Sequence, residues 1–200
     1  MITDFDVLFS YLNKKFLYHA LWQVSPQALS TEPVLVAELE KKLEQMKDWT
    51  RQIICPVHKN ICVEAEFKED KIYIKKEGEI LFVITHKIPQ KSKEITFQIV
   101  SLGHEAVDKA IELKENHEYM DYFYWHGFCG ALTEALAEMV HTQIIPCAKR
   151  YSFGYEALPE IMEQNNVLKL LNAEEIGVKM TESGMIEPEY STCAVIIKNP

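Results

Sequence analysis

No stretch of this sequence approaches the run of about 20 apolar residues that a bilayer-spanning helix needs. Residues 1–9 lack a basic stretch followed by an apolar one, so no secretory leader is expected and the cytoplasm is the expected compartment. No G-x-G-x-x-G follows a strand pattern and no P-loop occurs, which argues against an independent Rossmann-type methyltransferase. A nucleophile elbow of the form G-x-S-x-G is missing too, which argues against a serine hydrolase. Positive charge is in deficit: 21 Lys and Arg face 30 Asp and Glu, for a net charge of −9. The average surface would repel a phosphate backbone, so no nucleic-acid partner is expected. The five cysteines are odd in number and scattered, which does not make a disulfide framework. Reduced thiols are the simplest expectation.

What is present suffices for a sizeable core. The chain has 200 residues, of which 48% are hydrophobic. Residues 1–33 read as an amino-terminal helical segment and a linker, and 34–200 as the main domain. Apolar and aromatic residues recur at helical spacing over 5–22. The stretch 24–33 (VSPQALSTEP) has the prolines and small polar residues of a linker. Val36, Leu39, Leu43, Met46, Trp49 and Ile53 step by three and four, as on one face of a helix. Glu38 and Lys42 form a favourable i,i+4 charge pair on that helix.

Strands follow over 61–67, 72–74, 79–84 and 95–102, the first with clear alternation of apolar and polar residues. Helices are expected over 104–114 and 118–144. The second is apolar on nearly every face of its first half, which predicts a buried central helix ended by Pro146. A short helix over 159–171 and strands over 177–181, 185–187 and 191–197 complete the pattern. Blocks of strands and helices without regular alternation indicate an α+β fold, with a twisted antiparallel sheet and packed helices.

Three segments carry candidate chemistry. His126, Gly130, Glu134, Glu138 and His141 share one stripe of the central helix. They either wall a ligand or simply face solvent and a salt-bridge partner. The stretch 150–159 (RYSFGYEALP) holds an arginine able to clamp a carboxylate, a glycine that permits close approach, and tyrosines with a stacking face. It reads as an irregular loop that either binds a ligand or packs as surface. The Thr181-Glu182-Ser183 turn is either a plain hairpin or a source of polar groups beside that loop. A fourth cluster, Cys55, His58 and Cys62, is one ligand short of a structural zinc site.

In series, ALTEALAEMVH, RYSFGYEALP and LLNAEEIGVKMTESGMIEPEYS resemble the activation domain of cobalamin-dependent methionine synthase. That family shows an AE-x-x-AE-x-x-H helix, an R-x-x-x-G-Y loop and a T-E-S turn in this order. The resemblance covers roughly residues 95–197. It implies a domain that supports reductive methylation of cobalt(II) cobalamin, with S-adenosylmethionine as methyl donor. It also implies that Arg150, Gly154, Tyr155 and Ala157 match the ligand loop and that Glu134 is a helix carboxylate near the ligand. With no D-x-H-x-x-G motif in the chain, the cobalamin is expected from a partner, a corrinoid-binding methyltransferase lacking its own activation domain. A flavodoxin or ferredoxin-type protein is the implied electron donor. The other reading is a docking or capping protein for a corrinoid protein that binds no S-adenosylmethionine.

Overall fold

The computed structural model describes residues 4–89 and 91–198. The chain opens with α1 (Phe5–Ser10), α2 (Lys14–Phe16) running into a π-helix at Leu17–Leu21, α3 (Pro26–Thr31) and α4 (Pro33–Ile53). Four strands follow: β1 (Val57–Lys68), β2 (Lys71–Lys76), β3 (Glu79–Thr85) and β4 (Glu94–Ser101). Next come α5 (His104–Glu115), α6 (Tyr119–Ile144), β5 (Ala148–Ser152) and α7 (Gln164–Leu170), with 3-10 turns at Ile161–Glu163 and Ala173–Ile176. Strands β6 (Lys179–Met180), β7 (Ile186–Glu187) and β8 (Ser191–Lys198) close the chain.

The main sheet has six strands in the order β3-β2-β1-β4-β8-β5, and every neighbouring pair is antiparallel. The expected α+β class with an antiparallel sheet and packed helices is what forms. Strand β4 is buried on both faces, and its alternation decides what each face meets. Ile95, Phe97 and Ile99 join Val195 and Ile197 in a core shared with α7. Val100 belongs to the opposite core, shared with the helices. The Gln98 amide, on that helical side, donates to the Ala137 carbonyl of α6 at 3.1 Å.

Helix α6 is buried on nearly every side, as its composition predicts. Trp125 is fully buried and donates its indole N–H to the Ala106 carbonyl at 2.9 Å. Leu8, Leu12, Leu17, Tyr18 and Trp22 lie in the same core as α6, so the amino-terminal segment packs into the helical layer.

Two expectations need correction. The linker-like stretch 24–33 is helical over Pro26–Thr31, because Ser25 caps it by accepting from the Ala28 N–H and Pro26 occupies the first turn. Lys42 does not pair with Glu38; it donates to Asp121 of α6 at 2.7 Å and to Gln45 at 2.9 Å, because that cross-helix site is half-buried. His58 and Cys62 both lie on β1, four residues apart, which separates them by about 13 Å. No group of three or more potential metal ligands exists among the described residues. No disulfide links any of the five cysteines. No described helix is long and apolar enough to cross a membrane.

Candidate functional site

Strand β5, at one edge of the sheet, supplies the first part of the site. Its register on β8 sets Arg150 opposite Ile196, so the residue read as part of an irregular loop is strand. The side chain reaches α6, where the guanidinium donates through Nη2 to Glu134 Oε2. Arg150 is 15% exposed and Glu134 53% exposed, so the pair sits at the lip of the fold. Arg150 Nη1 is buried without a hydrogen-bond partner.

Beyond β5 the chain leaves the sheet. Gly154 takes φ +83°, a conformation that side chains disfavour. Its N–H donates to the Leu158 carbonyl at 2.8 Å, and the Leu158 N–H donates to the Tyr155 carbonyl at 3.0 Å. This closes a tight loop with Leu158 buried beneath it and Tyr155 projecting, 71% exposed. Ala157 turns the other way. It packs on the sheet core, and its carbonyl accepts from the Lys87 N–H at 3.0 Å.

The β6–β7 hairpin supplies the third part. The Thr181 N–H donates to the Met185 carbonyl at 2.8 Å, and the Met185 N–H donates to Thr181 Oγ1 at 3.0 Å. Gln164, buried at the start of α7, donates to the Gly184 carbonyl at 2.7 Å and ties the turn to the body. Glu182 is exposed and does not border the site.

Between these parts lies an open cleft of about 360 Å3, bordered by Glu134, Gly154, Tyr155, Met185, Glu189 and Cys193 among others. Three of the expected site residues, Glu134, Gly154 and Tyr155, therefore share one concave surface. Arg150 adjoins it through Glu134, and Ala157 does not border it. On the helix stripe, Glu134 and Glu138 face outward while His141 is buried, with Nδ1 3.4 Å from Glu138. Sequence reasoning missed Glu189, Met185 and Gln164. Glu189 stands just before the last strand among polar residues, Glu187, Ser191 and Thr192, so no local signal singles it out.

Electrostatics define what this cleft can do. Burial pushes the Cys193 thiol up to about 12, so it stays protonated and is no nucleophile. Burial likewise raises the Tyr190 phenol far above its ordinary value, and it stays neutral. No histidine or cationic side chain lines the cleft among the described residues. What remains are two carboxylates, hydroxyls from Ser152, Ser191 and Thr192, and one exposed aromatic face. Such a set suits the holding and orientation of a cationic ligand.

Residues 147–200 match the family model for the activation domain of vitamin B12 dependent methionine synthase. Methionine synthase of Mycobacterium tuberculosis is 33% identical over 132 residues, covering 53% of this chain and 11% of that protein. Methionine synthase of Mycobacterium leprae is 31% identical with the same coverage. The chain thus spans about a tenth of the curated relatives' length. Among solved structures, the MetH reactivation domain bound to AdoHcy superposes with a TM-score of 0.81 at 19% identity, over 96% of this chain and 75% of that one. The chain shares that fold, and it resembles the activation domain of cobalamin-dependent methionine synthase.

Proposed function

We propose that this chain, resembling a methionine synthase activation domain, supports the reductive methylation of cobalt(II) cobalamin carried by a corrinoid methyltransferase. S-adenosylmethionine is the methyl donor, and a reduced flavodoxin or ferredoxin-type protein supplies the electron. The ligands supply the transfer itself: the carbon–sulfur bond breaks as the carbon–cobalt bond forms, a neutral thioether leaves, and the one added electron balances the change at cobalt.

The task left to the protein is placement. The convergence of the three resembling segments on one cleft carries this reading: Glu134 from α6, Gly154 and Tyr155 from the loop, and Met185 from the hairpin. The side chains fit such a ligand. Glu134 and Glu189 offer anions to its ammonium and sulfonium groups. Tyr155 offers an exposed ring to the adenine, and Arg150 holds the Glu134 carboxylate in place. The openness of the site suits a methyl group that must meet a cofactor held by another protein.

Calorimetric titration with S-adenosylmethionine tests the reading, with Arg150→Ala as the comparison and thermal melts as the fold control. Saturable binding that weakens in the variant supports it. Absence of binding by the wild type up to about 1 mM, equivalent to roughly −4 kcal/mol, puts the docking or capping reading ahead.

A further inference from the structure

The two carboxylates of the cleft are not equivalent. Glu134 is already matched by the Arg150 guanidinium. Glu189 is 59% exposed, and its one ion-pairing candidate among the described residues is His126, whose Nδ1 lies 3.9 Å from Glu189 Oε1. That same Nδ1 is 3.0 Å from the Tyr190 hydroxyl, a true hydrogen-bond distance. The Tyr190 phenol keeps its proton, because burial disfavours the phenolate. The imidazole nitrogen nearest Glu189 is thus engaged by the Tyr190 hydroxyl, and at 3.9 Å it makes no hydrogen bond to the carboxylate. The imidazole is held between the rings of Tyr122 and Tyr190, with centroids 5.9 and 5.7 Å away. This clamp fixes the Glu189–Tyr190 stretch against α6 and leaves the Glu189 carboxylate without a hydrogen-bonded cation among the described residues.

From this arrangement we infer that Glu189 is a specificity-determining residue that makes the cleft prefer a cationic sulfonium donor to its neutral thioether product. The inference rests on the S-adenosylmethionine reading above. It adds a direction to that reading: the donor is held while it bears its methyl group, and the product is released once the charge has gone. Glu134 cannot supply this discrimination alone, since Arg150 already balances its charge. The ligand's ammonium group, present in donor and product alike, cannot supply it either.

The test is a pair of titrations, with S-adenosylmethionine and with S-adenosylhomocysteine, on wild type, Glu189→Gln and Glu189→Asp. Wild type should bind the sulfonium ligand more tightly. Glu189→Gln should weaken that ligand by about tenfold, the scale of one charge–charge contact at a partly exposed site, and leave the thioether unchanged. Glu189→Asp keeps the charge and should keep the preference. Equal weakening of both ligands would assign Glu189 to the shared ammonium and overturn the inference while sparing the site. No weakening of either would overturn it as well. Failure of both ligands to bind the wild type would overturn the site and the inference together.

Discussion

Arg150 and Glu134 are sixteen residues apart in the sequence, yet they form an ion pair that joins the edge strand β5 to the central helix α6 at the cleft. Arg150 therefore belongs both to the fold and to the candidate site. Arg150→Ala should cost about 1 kcal/mol in chemical denaturation, a modest loss because Glu134 is half-exposed and returns to water. Affinity for S-adenosylmethionine should drop about tenfold, since the charge-assisted hold on Glu134 is lost and with it the placement of that carboxylate in the cleft. Circular dichroism should show the fold retained. A variant that cannot fold would mean that the pair is structural alone.

Gly127 tests the packing of α6. A Cβ there would lie 2.9 Å from Trp22 Cδ1 and 3.3 Å from Leu21 Cβ. The Trp22 ring cannot easily retreat, because its indole N–H donates to the Tyr124 carbonyl at 3.0 Å. Gly127→Ala should lower the unfolding free energy by about 1–3 kcal/mol, the usual range for overpacking, despite the better helix propensity of alanine. A midpoint in urea equal to or above that of wild type would contradict this close approach.

Gln164 anchors the hairpin that forms one wall of the cleft. Gln164→Leu keeps its bulk but leaves the Gly184 carbonyl without its donor. A loss of about 1–3 kcal/mol is expected. Hydrogen exchange should also quicken at the Met185 amide, whose bond to Thr181 Oγ1 depends on the shape of that turn. Unchanged exchange would show that the hairpin holds without this tie.

Much of this was legible in the sequence, and the exceptions have physical causes. Helix α6 announced itself by apolar residues on every face, and β1, β4 and β8 by runs rich in Ile, Val and Phe. Strand β5 did not, because Ala148–Ser152 (AKRYS) has no apolar alternation and is strand only through its pairing with β8. The first residues of β1 are similar: Val57 to Asn60 are strand because they pair with Gln98 to Ser101, a partnership invisible locally. The helix within 24–33 did carry a readable signal, Ser25 followed by Pro26. At the site, Glu134, Gly154 and Tyr155 were found through motif order. Gln164 lies outside the resembling segments and Glu189 stands near the end of the third of them, beyond its T-E-S turn, and only tertiary placement brings both to the cleft wall.

The cysteines divide by burial. Cys55, Cys62 and Cys147 are exposed, whereas Cys129 and Cys193 are buried with their thiols held protonated by desolvation. A thiol reagent should therefore label three sites quickly in the native protein and all five after denaturation. Rapid native labelling of Cys193 would mean that the cleft opens to its floor.

The location of the ligand is the claim on which the rest depends, and methionine methyl groups can report it. Met162 and Met185, 51% and 60% exposed, stand at the hairpin wall, whereas Met46 and Met139 are buried in the helical core. In protein carrying carbon-13 methyl-labelled methionine, titration with S-adenosylmethionine should shift the Met185 and Met162 resonances along one saturable curve and leave Met46 and Met139 in place. Saturable binding with Met185 and Met162 unmoved would contradict a ligand site in this cleft.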